Sequence, residues 1–181
     1  AFVILLGFYL ANIKGWGSDR DTHGLINTFI FFYENSIYLP SRGYGHPIAE
    51  LIIGYLSYNF GATTSTFISY LSFLAALYFF YKSFFYNKEK NYFVLFIILS
   101  ISNSLLLYDN INSSDYPWSL FFFSIGTFLL IRKKLFFYSG IFFALSIGSR
   151  YSFVLYVYPL LLTYLLLNKN EINLKKNILL C

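Results

Sequence analysis

The sequence is poor in charge, in cysteine and in methionine. Only 12% of its 181 residues are Asp, Glu, Lys or Arg, whereas an ordinary soluble domain carries about 25%. The single cysteine, Cys181, excludes an intrachain disulfide and a cysteine-cluster metal site. Methionine is absent and the chain opens inside an apolar run. We therefore interpret the sequence as a fragment, cut within its first helix and before its natural end.

Long charge-free runs fill the rest of the sequence. Hydrophobic residues make up 57% and aromatic residues 24% of the chain. Apolar segments of about 17–25 residues match the hydrocarbon core of a bilayer. Five such runs follow one another: Leu51–Tyr81, Asn91–Tyr108, Tyr116–Ile131, Leu135–Ser149 and Tyr151–Asn168. They predict an all-α fold, a polytopic transmembrane helical bundle that forms a single domain over residues 1–181.

The basic residues predict which ends of these helices face the cytoplasm, because cytoplasmic loops are rich in Lys and Arg. Nine of the 13 fall into three groups: Lys82, Lys88 and Lys90; Arg132, Lys133 and Lys134; Lys169, Lys175 and Lys176. The first helix, 1–13, then runs outward and a first external loop covers about 14–47. The next spans are expected near 63–81, 91–108, 116–131, 135–149 and 151–167.

Two further helices are expected at the outer interface. Leu25–Tyr33 is aromatic and apolar enough to lie flat on a membrane. The uncharged run from Leu51 is too long for one upright helix, so Ile48–Asn59 is predicted to be separate and to end at Gly61.

Several charged residues stand out on the predicted external side. Arg150 lies between two apolar runs with no loop between them, which makes it a functional candidate or an anchor that snorkels to the interface. Asp115 is predicted to be the N-cap of a helix that has Pro117 in its first turn. Alternatively, Asp115 or Asp109 contributes to the functional site or to metal binding.

Three loose motifs occur in an order known from one superfamily. Asp19-Arg20-Asp21 follows the first helix, and Tyr38, Ser41, Arg42, Gly45 and Pro47 match a "Y-x-x-S-R-x-P-G-x-P" element, with Tyr44 in place of its first proline. Later residues match a "G-(I/L)-x-x-(A/G)-L-(A/S)-x-x-x-R" element: Gly140, Ile141, Ala144, Leu145, Ser146 and Arg150. The chain thus resembles the C-type (GT-C) integral membrane glycosyltransferases, which include protein mannosyltransferases and aminoarabinose transferases. It departs from some members in offering Asp109 and Asp115 where they have a second-loop glutamate.

The resemblance implies an enzyme that transfers a sugar from a polyprenyl-phosphate donor to an acceptor at the external face of the plasma (inner) membrane. Asp21 is then the catalytic carboxylate and Asp19 its support, because a carboxylate must deprotonate or orient the acceptor hydroxyl. Arg150 and Arg42 are expected at the donor phosphate. The other substrate-binding candidates are His23, Tyr38 and Asp115.

The same reading bears on cofactors and partners. The cofactor stays open: the resemblance specifies none with certainty, and a divalent metal ion held by Asp19, Asp21 or Asp109 is the candidate, because it would neutralise the leaving phosphate. The partners are the lipid-linked donor, a lipid, glycan or protein acceptor and the membrane, with no nucleic acid. For His23 and His46, the alternative to a functional role is that each is simply a polar residue of the loop.

Three other functions remain open on the sequence. A transporter or flippase for lipid-linked saccharides predicts internal repeats and broken helices at mid-membrane, and no convincing repeat is found. A polysaccharide polymerase or ligase places its main loop late, whereas the long loop here comes first. A structural membrane subunit is the third.

Overall fold

The computed structural model of the chain describes residues 2–16, 20–43, 45–85, 90–103 and 113–168, with the side chains of residues 20, 21, 90 and 91 left out, and the regular structure in these residues is helix without strands. A π-helical turn, Leu129–Lys133, continues the helix that ends at Phe128, and a 3₁₀ turn, Tyr151–Phe153, precedes the helix that begins at Val154. The helices in chain order are α1 Phe2–Lys14, α2 Arg20–Asn35, α3 Pro47–Phe84, α4 Lys90–Ser102, α5 Asp115–Phe128, α6 Phe136–Ser149 and α7 Val154–Leu167.

Gly61 divides α3 into two parts. Its backbone has φ 80° and ψ 177°, which is non-helical and is accessible to glycine but to few other residues. The predicted interruption of the apolar run at Gly61 is confirmed. The first part of α3 lies under α2, where Leu25 and Ile26 pack on Ala49 and Ile53.

The packed helices alternate in direction. The hydroxyl of Thr66 donates to the carbonyl of Gly15 while that of Tyr70 donates to Val3, so α1 runs antiparallel to α3. Ser113 lies beside Ser65 at the start of α5, and Arg132 binds the Ser83 carbonyl at its end, so α5 runs parallel to α3. α4 and α6 run the opposite way. In α4, Phe93 contacts Tyr81 and the later Ile97 packs against the cluster of Tyr70, Phe73 and Leu77, which lies earlier in α3. In α6, the hydroxyl of Ser139 donates to the carbonyl of Gly126 and that of Ser146 to the carbonyl of Ser119, so α6 is antiparallel to α5.

This alternation places four of the described basic residues, Lys82, Arg132, Lys133 and Lys134, at one end of the bundle. Arg132 and Lys133 end the π turn, Lys134 has a left-handed φ of 53°, and the N–H of Leu135 donates to the carbonyl of Leu129 at 3.1 Å to close the reversal into α6. Lys82 lies at the same end, because Arg132 also reaches its carbonyl at 3.3 Å. We call this the basic end.

The polarity of the bundle is inverted relative to a soluble protein. Its buried polar side chains are chiefly serines and threonines on helix–helix contacts, whereas many large apolar side chains are exposed on the outside. Glycines allow close approach: Gly54 lies against Phe29, Gly126 against Phe143 and Gly7 against Tyr70. Small residues and interhelical hydroxyl hydrogen bonds are the means by which helices associate in a membrane.

One helix in the described part of the chain, α3, is long and apolar enough to cross a membrane by length and composition. The other apolar helical segments are shorter: Phe2–Lys14, Tyr92–Ser102, Phe136–Ser149 and Tyr151–Leu167. The predicted all-α fold is confirmed, and the predicted span to Tyr108 is described only as far as Asn103.

Candidate functional site

Glu50 organises the segment between α2 and α3. It lies in the first turn of α3 and is fully buried. One carboxylate oxygen accepts hydrogen bonds from the backbone N–H and hydroxyl of Ser41 and from the backbone N–H of His46, and the other accepts one from the hydroxyl of Tyr38. A buried carboxylate is tolerated where hydrogen bonds replace its hydration. We call Glu50 with Tyr38, Ser41 and His46 the Glu50 clamp.

Two local features fit the segment to this clamp. Gly45 has a φ of +67°, and a Cβ added there would come within 2.7 Å of the Tyr38 hydroxyl and 3.0 Å of Pro40. Partial burial of the Tyr38 hydroxyl, with the hydrogen bond to Glu50 and the negative charge of Glu50, raises the pKa of Tyr38 above its usual value. Tyr38 therefore remains a hydrogen-bond donor through the physiological pH range.

Asp115 is the centre of an ionic cluster at the same end of the bundle. Its Oδ2 atom lies 2.8 Å from Nη1 of Arg150, 3.7 Å from Nη1 of Arg42 and 3.7 Å from Nδ1 of His46. The Asp115 side chain is 2% exposed, whereas those of Arg150 and Arg42 are 19% and 27% exposed. We call these four residues the Asp115 cluster, and the end of the bundle that holds it the cluster end.

His46 joins the cluster to the clamp. Its Nδ1 atom is 3.0 Å from the carbonyl of Ser149, to which it donates a hydrogen bond, and its backbone N–H binds Glu50. The Ser149 carbonyl is one of the four at the end of α6 that have no partner within the helix. The loop, α3 and α6 are therefore fastened together at this residue.

Arg150 is placed by a reversal without a loop. It is the single residue between α6 and the 3₁₀ turn, with an extended backbone at φ −154° and ψ 113°. Its guanidinium binds the Tyr116 and Ser152 hydroxyls as well as Asp115, and it lies 3.5 Å above the centre of the Tyr116 ring. Snorkelling toward the interface does not by itself account for this position, because the guanidinium forms hydrogen bonds with three side chains of the protein, those of Asp115, Tyr116 and Ser152.

An apolar groove begins at Arg150 and runs toward the basic end between α3, α5 and α7. Its volume is about 810 Å³. It extends along α5 from Tyr116 to Thr127, which is about 16 Å at the helical rise. We call it the Arg150 groove; the remaining lining residues are Leu120, Phe123, Ser152, Phe153, Tyr156, Leu160, Phe80 and Phe84. A smaller hollow of about 440 Å³ beside Trp118 has no charged residue in its lining.

The structure brings together three of the residues singled out in the sequence: Arg150, Arg42 and Asp115. Tyr38 lies beside them in the clamp, with its hydroxyl on Glu50. His23 is separate: it is exposed on α2 and contacts the Trp16 ring edge-on at 5.9 Å between centroids. Asp19, Asp109 and the side chain of Asp21 lie outside the described residues.

The backbone of Asp21 can still be placed. It lies in the first turn of α2, one turn before Gly24, whose added Cβ would lie 3.4 Å from Cβ of Ser41 in the clamp. The start of α2 therefore belongs to the cluster end of the bundle.

One prediction about Asp115 is wrong. The N-cap of α5 is Ser114, which has the extended φ and ψ of a cap, and Asp115 is the first helical residue. Ser and Asp are similar in capping preference, so the sequence alone does not choose between them, and in the structure the Asp115 carboxylate binds Arg150. The helix does start here with Pro117 in its first turn, as predicted.

Sequence reasoning missed Glu50, Tyr116 and Ser152 as members of the site. Glu50 could have been found, because it is the only Asp, Glu, Lys or Arg within the apolar run 47–60 and an isolated carboxylate in such a run requires partners. Ser152 is only two positions after Arg150 but is an ordinary serine in the sequence, and Tyr116 becomes a partner of Arg150 only through the fold.

Comparisons with protein-family models, with curated proteins and with solved structures each give no match. Among the described residues, no group of three or more His, Cys, Asp or Glu side chains is arranged to hold a metal ion. The resemblance to the C-type glycosyltransferases therefore stays a prediction, and the function is argued below from the groove and the two clusters.

Proposed function

We propose that the protein is a multi-pass membrane glycosyltransferase that uses a polyprenyl-phosphate-linked sugar at the outer face of the membrane. The observation that carries the proposal is the Arg150 groove, because it combines a long apolar channel with a cationic group at one end. A polyprenyl phosphate has the same division, with a hydrocarbon chain attached to an anionic head.

The inverted polarity of the bundle supports its place in a membrane. Exposed Phe, Leu and Tyr side chains on α1, α4, α6 and α7 would otherwise face water, and apolar surfaces of such extent mark contact with lipid or with another protein. The basic end, with Lys82 and Arg132–Lys134, is the cytoplasmic end under the positive-inside rule. The Asp115 cluster and the start of α2 then face outward.

The donor fits with its phosphate beside Arg150 and its chain along Leu120, Phe123 and Leu160. A guanidinium presents paired N–H donors to phosphate oxygens. It also stabilises the negative charge that grows on the phosphate as the sugar leaves.

Transfer requires one bond to form and one to break. The acceptor hydroxyl oxygen attacks the anomeric carbon, its proton passes to the Asp21 carboxylate, and the bond from that carbon to the phosphate oxygen breaks. The polyprenyl phosphate leaves with the electron pair of that bond. Asp21 is assigned on the sequence resemblance and on the position of its backbone beside the clamp.

The test is the exchange Asp21→Asn, with Asp19→Asn as its partner variant. Asparagine caps a helix about as well as aspartate but cannot accept the proton. A general base contributes about 10²–10⁴-fold to a rate, so Asp21→Asn should insert normally and lose at least about 100-fold in sugar transfer, with a smaller loss for Asp19→Asn. Transfer at the wild-type rate by Asp21→Asn would reject this catalytic assignment.

Orientation in the membrane is tested separately. In a Cys181→Ser background, a cysteine introduced at Asn35, exposed at the end of α2, should react with an impermeant thiol reagent from outside the cell. A cysteine at Lys134, exposed at the basic end, should react only after permeabilisation. The reverse pattern would move the proposed site to the cytoplasmic face.

A transporter or flippase is less well supported by the same groove. Passage of a saccharide needs a polar path, but between Arg150 and Thr127 the groove is lined by Leu120, Phe123, Phe153 and Leu160. These side chains suit a hydrocarbon chain and offer a sugar no hydrogen bonds. A groove that carries a charged residue at only one end fits a lipid that is held in place rather than passed through.

A further inference from the structure

Asp115 and an anionic ligand would compete for the same arginine. Arg150 is the charged residue in the lining of the groove, and its Nη1 atom is 2.8 Å from Oδ2 of Asp115. That carboxylate is almost completely buried, and a buried carboxylate that loses its cation costs several kcal/mol unless another replaces it. An anion in the groove can therefore use Arg150 fully only if Asp115 finds a second cation.

The second cation is already adjacent. Nη1 of Arg42 is 3.7 Å from the same Oδ2 atom that Arg150 binds. Arg42 follows Ser41, whose backbone N–H and hydroxyl bind Glu50, so the Glu50 clamp keeps the backbone of Arg42 near Asp115 whether or not Arg150 moves. A displacement of less than about 1 Å brings the Arg42 guanidinium into hydrogen-bond range of Asp115, whereas the Nδ1 hydrogen of His46 is already donated to Ser149.

We propose, on the basis of the function proposed above, that Asp115 is an exchangeable counter-ion that sets the affinity and charge selectivity of the groove. In the unliganded protein it holds Arg150. When a phosphate head enters, Arg150 turns to it and Arg42 takes over Asp115. Neutral amphiphiles cannot break the Arg150–Asp115 pair, so the groove selects lipids that carry a phosphate.

The proposal makes an unusual prediction about the sign of a mutational effect. Asp115→Asn removes the competitor but keeps the size of the side chain and a carbonyl oxygen. Binding of polyprenyl phosphate to the intact protein in nanodiscs should become tighter by about fivefold to tenfold, within the range of couplings between linked sites. Binding of the uncharged polyprenol should not change. Glu34→Gln, which removes one negative charge from the exposed end of α2, is the matched control and should leave both affinities unchanged.

Arg42→Ala completes a double-mutant cycle. In the wild type it should weaken polyprenyl phosphate binding by about fivefold to tenfold, because Asp115 loses its replacement cation and retains Arg150. In the Asp115→Asn background the same change should have no effect. An equal loss in both backgrounds would mean that Arg42 contacts the phosphate itself and would overturn the exchange.

The remaining outcomes separate this inference from the proposed function. Weaker binding to Asp115→Asn in a protein that inserts and unfolds like wild type would make Asp115 a positioning residue for Arg150 and overturn the exchange. Wild-type protein that binds polyprenol as well as polyprenyl phosphate would overturn the charge selectivity. If wild-type protein binds neither lipid, the donor site of the proposed function is rejected. If wild-type protein transfers sugar normally but Asp115→Asn binds polyprenyl phosphate with unaltered affinity, only the exchange is rejected.

Discussion

The two ends of the helical bundle use charge in opposite ways. At the cluster end, Glu50 and Asp115 are buried and both carboxylates have specific partners, those of Glu50 within 12 positions and the nearest cation of Asp115, Arg150, 35 positions away. At the basic end, Arg132, Lys133 and Lys134 are exposed, and the guanidinium of Arg132 binds the backbone carbonyls of Ser83 and Lys82. A carbonyl at the end of a helix accepts a hydrogen bond from any cation nearby. Charges at the cluster end should therefore be specific and costly to change, while those at the basic end should be interchangeable.

The largest effect is expected for Glu50→Ala. The change leaves the Tyr38 hydroxyl and the N–H groups of Ser41 and His46 without their acceptor, and each buried donor left unpaired costs about 1–3 kcal/mol. We expect a loss of about 3 kcal/mol or more, seen as a lower thermal unfolding midpoint in detergent. Trypsin cleavage after Arg42 should accelerate. The matched change Glu34→Ala, at an exposed carboxylate, should alter neither reading.

A pair of arginine variants compares the two ends directly. Arg150→Ala removes the nearest cation from buried Asp115, and we expect a loss of about 2–3 kcal/mol, less than the full cost of an unpaired charge because Arg42 lies nearby. Arg132→Ala should cost about 1 kcal/mol or less, as exposed charges usually do. Equal unfolding midpoints for the two variants would contradict the distinction between the ends.

Gly45→Ala tests the fit of the loop. At a φ of +67° a Cβ costs about 1–2 kcal/mol, and here it would also press on the Tyr38 hydroxyl. We expect about 2 kcal/mol by thermal unfolding, together with faster cleavage after Arg42. Gly43→Ala is the control, since an added Cβ there meets nothing within 4 Å.

Tyr38→Phe should have the smallest effect among the changes at the cluster end, about 1 kcal/mol, the usual net value of one hydrogen bond. Because folding raises the pKa of Tyr38, the stabilising contribution of the hydroxyl is fully present below its ordinary pKa of about 10. This contribution declines as the pH rises above about 10 and through the pKa of Tyr38 in the folded protein, because in this range the unfolded chain releases the proton more readily than the folded protein does. Unfolding midpoints of wild type and Tyr38→Phe should differ by a constant amount from pH 7 to about 10 and converge at higher pH. A difference that grows with pH would contradict this sign.

Local sequence predicted the helices well. The charge-free runs and the punctuating Gly61, Lys134 and Arg150 mark the ends of helices in the described structure, because apolar length and glycine conformation are local properties. The parallel course of α3 and α5 also agrees with the alternation inferred from the basic loops.

The site was only partly predictable, because its bonds join distant residues. Asp115 and Arg150 are 35 positions apart, and His46 binds a carbonyl 103 positions away. The sequence assigns Asp115, Arg42 and Arg150 to the same predicted external side, but it does not indicate that they form ion pairs with one another. The N-cap of α5 was misplaced by one residue, since Ser114 and Asp115 have similar capping preferences and the sequence does not separate them.

The one-residue junction at Arg150 has a consequence for how this sequence can change over time. Lys134 and Leu135 at the opposite turn are exposed, so insertions there lengthen a surface loop and leave α6 in place. A residue added on either side of Arg150 would lengthen a reversal that has no loop to absorb it, which would carry Phe153 and Tyr156 out of the groove and the arginine away from Asp115. Natural length variation in relatives of this chain should therefore collect at residues 134–135 and stop at 150.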